Sequence, residues 1–240
     1  MNKTWIATTG ACSVLSVLAA ASTASAGIAS WSGQLQLVGG PESGSNPVSF
    51  EYGQLASNDH MALFVETLSH TLEADLMADI PGQAGTWHRF NRPAQPFAIP
   101  AGSSIDSYFI HQDLVGNNPN FGVLMSFSIT FEQPILGLIV GGDWADGSLF
   151  RTTLDDSDFL GGVEYTTNAD LRRRGALEGT TAEHVTISDD GYTLSGSLHS
   201  TGVHVDNLRV ITMGSVIPAP GSVFVVGLAA LAVSRRRRRD

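Results

Sequence analysis

Along several short stretches of this chain, apolar and polar residues alternate at period two, and clusters of Gly, Pro, Asn and Asp interrupt them at turn-like intervals. A chain patterned this way gives each strand one apolar row, so it buries a core only by laying sheets against one another. The expected strands are residues 34–38, 48–52, 62–67, 75–80, 104–112, 122–132, 135–140, 183–188, 192–198 and 203–211. The 61–77 stretch is rich in Leu, Ala and Glu, yet Ser69-His70-Thr71 interrupts it, and it reads as strand, turn, strand. Asp189-Asp190-Gly191 between two β-rich runs marks a hairpin, because glycine there supplies the positive φ of a tight turn. Glu132-Gln133-Pro134 separates two further runs in the manner of a second hairpin, and the run after it is apolar enough to be buried on both faces. One short helix is expected within residues 143–159. No internal period points to a solenoid or propeller. The fold class that follows is all-β, an antiparallel β-sandwich of jelly-roll-like type spanning residues 27–214.

Both ends of the chain read as addresses. Residues 1–26 have the layout of a secretory signal peptide: Lys3, an apolar stretch over residues 5–21, and a small-residue cleavage site at Ala24-Ser25-Ala26, so that cleavage falls before Gly27. The single cysteine, Cys12, leaves with that leader, and the body must hold together without disulfides. At the other end, residues 215–240 carry Pro218-Ala219-Pro220, an apolar stem expected to be a short helix, and then Arg235, Arg236, Arg237, Arg238 and Arg239. As a helix, the stem of residues 221–234 reaches about 21 Å, short of the roughly 30 Å hydrocarbon core. Guanidinium groups are expensive to carry through hydrocarbon, so the tail halts with its arginines on the cytoplasmic side. The shortness of the stem favours transient retention and cleavage over permanent anchoring.

Proline pair, thin apolar stem and terminal arginine cluster together resemble the PEP-CTERM sorting signal of Gram-negative bacteria, with Pro-Ala-Pro where the usual motif has Pro-Glu-Pro. The resemblance implies an exosortase-type membrane protease as partner, transient residence in the inner membrane, and export to the cell surface or an extracellular matrix alongside exopolysaccharide. The runs Ser107-Tyr108-Phe109-Ile110-His111, Ile129 through Gly137, Leu177-Glu178 and Asp206-Asn207-Leu208-Arg209-Val210 are similar to the sandwich domain of surface proteins with this tail. That likeness implies a fold and no catalytic residues.

Between the two addresses, the body carries seven arginines, no lysine and 22 acids, a net charge of −15. Such a surface repels phosphate backbones and excludes nucleic acid as a natural partner. It suits a solvated protein in saline surroundings and attracts divalent cations.

Signatures of several enzyme classes are missing: neither a Gly-x-Ser-x-Gly elbow nor a phosphate-binding glycine loop occurs, and no two histidines have the spacing of a zinc-binding helix pair. The expectation is therefore a protein without catalytic activity and without a required cofactor. Calcium is the one candidate ion, because Asp143, Asp146, Asp155, Asp156 and Asp158 sit in the densest acidic segments and calcium takes six to eight hard oxygens. Turn and cap aspartates account for the same residues equally well, since the EF-hand spacing is absent. Trp87 and Trp144 lie in loop-like surroundings and are the candidates for stacking on sugar, with half-buried packing as the competing role. The leading reading is an exported structural or adhesive protein of a surface matrix. A carbohydrate-binding module, calcium-dependent or not, is the alternative, and a secreted hydrolase the third.

Overall fold

The structure is a computed structural model, and it describes residues 27–40, 47, 49–88, 90–116, 118, 120–141, 153–165, 175–177, 182–201 and 204–215. The leader, the sorting tail beyond Ser215 and the segment with Asp143, Trp144 and Asp146 lie outside the described residues. In chain order the described strands are β1 (Ile28–Gly33), β2 (Leu35–Gly39), β3 (Ser49–Phe50), β4 (Met61–Thr71), β5 (Leu76–Ala78), β6 (Ile80–Pro81), β7 (Gly85–Trp87), β8 (Phe97–Ile99), β9 (Ser104–Asp113), β10 (Gly122–Phe131), β11 (Ile135–Ile139), β12 (Glu164–Tyr165), β13 (His184–Ile187), β14 (Thr193–Thr201) and β15 (Val205–Met213). A four-residue helix α1 (Thr153–Asp156) and a 3₁₀ turn (Asp158–Leu160) stand where one short helix was expected. The chain is all-β. None of its described helices is long and apolar enough to cross a membrane.

Two large sheets dominate. A five-stranded sheet runs β1-β10-β14-β13-β7, and a six-stranded sheet runs β2-β4-β9-β15-β11-β6. Nearly all their pairings are antiparallel, β2 with β4 being parallel. One apolar cluster draws on both sheets: Met125, Phe127, Ile129, Val185, Leu194 and Leu198 from the first, and Leu63, Val65, Tyr108, Ile110, Leu208 and Val210 from the second. These are the apolar rows of the period-two pattern.

A second cluster explains why β9 and β15 are buried almost end to end. Phe64, Phe109, Ile139 and Ile211 point away from the first core and pack beneath Phe50, Leu154, Leu160 and Tyr165. The six-stranded sheet is thus apolar on both sides, which is how an antiparallel sheet acquires the continuous burial usual for parallel ones.

All ten expected strands are present, with shifted ends. The 48–52 stretch contracts to Ser49–Phe50, paired in parallel with Glu164–Tyr165. The 75–80 stretch divides into β5 and β6, which join different sheets. Over 61–77 the first strand runs on to Thr71; the disturbance at Ser69 is a positive-φ residue (51°) with a register shift against β9, so the strand bends there and does not stop. The 189–191 turn is a hairpin, with Gly191 at φ 77° and Ser188 N–H donating to Thr193 O at 2.9 Å.

Glu132-Gln133-Pro134 makes no hairpin. It carries the chain from β10 in one sheet to β11 in the other. An apolar run on each side of a proline is equally the pattern of a crossing between sheets, and only the partners of β11, which are β15 and β6, distinguish the two.

Candidate functional site

Trp87, a sequence-derived candidate for sugar stacking, lies on the edge strand β7 opposite Val185 and is half-buried against the first core, so its indole faces inward. Of the candidate calcium ligands, Asp155 is half-buried and Asp156 exposed, whereas Asp158 accepts a hydrogen bond from Arg209 at 3.2 Å. No group of three His, Cys, Asp or Glu side chains among the described residues is arranged to hold a metal ion.

Among the described residues Arg209 is the largest fully buried side chain, and a dense set of polar groups surrounds it. Its register on β15 places it outward beneath α1, the same side as Phe109 on β9 and Glu66 on β4. Nε donates to Glu66 Oε2 at 2.7 Å and the second terminal nitrogen to Oε1 at 2.8 Å, while the remaining nitrogen donates to Leu154 O at 3.1 Å and to the Ser157 hydroxyl. Ser107 and Tyr165 donate to the same carboxylate, Ser107 at 2.5 Å. The guanidinium lies over the rings of Phe109 and Tyr165, 5.1 and 5.3 Å from their centroids. Burial drags its pKa down, but the Glu66 charge and hydrogen bonds outweigh that and hold it above the ordinary value. Burial and then the Glu66 charge push the Tyr165 phenol well up, so it stays a neutral donor. Every group here is committed to a neighbour; the cluster fastens α1 and the 3₁₀ turn to the sheet.

A second polar group closes one end of the six-stranded sheet. His111 Nδ1 and Asn207 Oδ1 are 2.7 Å apart on paired strands, under the ring of Phe50. Two residues on, the Asp113 carboxylate accepts the Gly53 amide; burial raises its pKa to about 6, although the Gly53 and Leu114 amides pull the other way. It is thus poised to titrate just below neutrality. Burial and then Asp113 also raise the pKa of the Tyr52 phenol, whose hydroxyl donates to Gly116 O at 2.9 Å.

The outer face of the five-stranded sheet has a different chemistry. None of its five strands contains Asp, Glu, Lys or Arg, although the body around it carries 22 acids. With Phe127, Ile129, Val185 and Leu194 turned inward, the alternate positions turn outward, and apart from Leu124, His184 and His199 most of them are hydroxyls. The register sets Ser32, Ser128, Ser195, Thr186 and Thr86 side by side across all five strands. Ser30, Thr130 and Thr193 form a parallel row, and Ser126 and Ser197 begin a third. Neighbouring strands lie about 4.8 Å apart and same-face residues about 7 Å apart along a strand, so the hydroxyls form a grid. Hydroxyl oxygens sit 2.9 Å apart in Ser126–Ser197 and Thr86–Thr186, and 3.0 Å apart in Thr130–Thr193. Such pairs strengthen the sheet and still leave lone pairs toward solvent. Leu124 on this face and Tyr192 at its turn add exposed apolar surface.

Sequence reasoning missed this face. Its signal is present in Ser126-Phe127-Ser128-Ile129-Thr130 and Thr193-Leu194-Ser195-Gly196-Ser197, but only pairing turns two striped segments into one surface.

Comparison with protein-family models, with curated proteins and with solved structures found no match to this chain.

Proposed function

We propose that the chain is an exported, non-catalytic β-sandwich of jelly-roll-like type that acts at the cell surface or in an extracellular matrix, where its hydroxyl face contacts neutral polysaccharide. One observation carries this: a grid of serine and threonine, on strands without Asp, Glu, Lys or Arg, in a body of net charge −15. Hydroxyls on such a grid donate and accept toward the hydroxyls of an uncharged sugar chain, and the surrounding acids repel acidic glycans. The sorting layout at Pro218, Ala219, Pro220 and Arg235–Arg239 supports delivery to that compartment.

Affinity electrophoresis through gels containing neutral or acidic polysaccharide tests the reading. Neutral polymer is expected to retard the protein, with and without calcium, and acidic polymer to leave it unretarded. Ser128→Glu with Ser195→Glu, placing two charges in the central row, should abolish the retardation while the melting curve keeps its shape. Retardation unchanged by the two glutamates would refute the assignment.

A further inference from the structure

Asp106 is a fully buried carboxylate on the inner side of β9, and no cationic side chain among the described residues pairs with it. Its oxygens accept the Ser69 amide at 2.6 Å, the Ser215 amide at 3.0 Å and the Ser215 hydroxyl, and the Tyr108 hydroxyl lies 3.5 Å away. Neutral donors of this kind satisfy lone pairs but leave the charge uncompensated, and buried charges are ordinarily paired. The donors also show where Asp106 sits in the chain's path. Ser215 is the last described residue before the tail, and Gly27 is the residue next to the expected leader cleavage. A Cβ on Gly27 would stand 3.3 Å from Asp106 Oδ2 and would collide with the Tyr108 hydroxyl, and φ there is +80°, so only glycine is accommodated. The Gly27 carbonyl is fixed by the Glu132 amide at 2.9 Å. Backbone geometry then puts the Gly27 nitrogen within about 6 Å of the carboxylate.

We infer that removal of the leader switches on an internal ion pair: the α-ammonium group created at Gly27 becomes the counter-charge of Asp106 and locks the start of the mature domain to its exit point at Ser215. The inference rests on the export reading only for the place of cleavage. Hydrolysis of the Ala26–Gly27 bond consumes one water, leaving a carboxylate on Ala26 and an amine on Gly27 that is protonated at neutral pH. An opposite charge at this distance favours the charged forms of both partners. Tyr108 and Glu132 are the other titratable groups near the pair. Burial and then the Asp106 charge hold the Tyr108 phenol well above its ordinary value, so it contributes no charge of its own.

Two chains test the latch without relying on any cellular protease: residues 27–240 freed from an N-terminal tag with no residue left behind, and the same chain retaining Ala26. The chain that begins at Gly27 is expected to melt at least about 3 °C higher at pH 7. Acetylating its Gly27 amine, or replacing Asp106 by Asn, should abolish the advantage. In the chain that begins at Gly27, the α-amino pKa followed by NMR should lie above the ordinary range of about 7.7–8.0. Equal melting of the two chains overturns the latch, and so does an α-amino pKa within or below that range, a readout that holds even if the extended chain fails to fold. Mass spectrometry of the N-terminus of exported protein addresses the cleavage site separately, so a start other than Gly27 would count against the export reading and leave the melting comparison intact.

Discussion

Arg209 and Glu66 bind each other through two N–H···O contacts of 2.7 and 2.8 Å with neither side chain reaching water. They come from residues 143 positions apart, on β15 and β4, and the strand between them, β9, supplies Ser107 as a further donor. The pair therefore ties β15 to β4 across β9 beneath the outer core.

Breaking that pair one partner at a time should be costly. Glu66→Leu leaves a buried guanidinium without its counter-charge, and Arg209→Met leaves the carboxylate; each is expected to lose about 3–5 kcal/mol in urea denaturation. The double variant should lose distinctly less than the sum, because two apolar side chains leave no buried charge behind. Strict additivity in the double-mutant cycle would mean that the two groups do not depend on each other.

Asp113 gives stability a pH dependence of definite sign. Its carboxyl moves from 3.8 to about 6 on folding, so the native state binds the proton more tightly than the unfolded chain does. The contribution is fully present below about pH 4 and is lost as the pH rises through 6. Asp113→Asn should match the native protein near pH 3 and exceed it above pH 6, by at most about 3 kcal/mol. Urea midpoints across pH 3–8 measure this, and parallel curves for the two proteins would show that the carboxyl titrates normally.

The sequence made the strands legible because a half-buried strand writes its burial into period two, as in Met125-Ser126-Phe127-Ser128-Ile129. It made the 189–191 turn legible because positive φ selects glycine. Partners were not legible. Nothing local distinguishes Pro134 in a hairpin from Pro134 in a crossing between sheets, and nothing near Glu66 announces an arginine at 209. The short edge strands Gly85–Trp87 and Phe97–Ile99 escaped notice since three residues hold too little pattern. The same limit hid the candidate face: each Ser or Thr is unremarkable alone, and pairing that spans five strands makes the grid.

Gly191 should tolerate substitution poorly for a backbone reason alone. Its φ is 77°, while a Cβ there would meet nothing within 4 Å. Gly191→Ala is expected to cost about 1 kcal/mol from strain without steric conflict, and Gly191→Asn less, since asparagine enters the left-handed region more readily. Equal losses in thermal melts would indicate that the side chain, and not φ, sets the cost.

On the proposed export reading, arrest at the inner membrane should depend on the arginine cluster and on nothing in the folded body. On the insertion scale each arginine costs about 2.5–3.5 kcal/mol at the centre of a membrane helix, so five in succession make a barrier that a stem of residues 221–234 cannot overcome. Replacing Arg235, Arg236, Arg237, Arg238 and Arg239 by serine removes the barrier and leaves the stem's length unchanged. Fractionated cells should then show the protein released without tail processing, with the body still folded. If it is processed and distributed like the native chain, the cluster is not the stop signal. Material shed from the native surface should lack tail peptides, and recovery of peptides running through Asp240 would show that the tail stays attached.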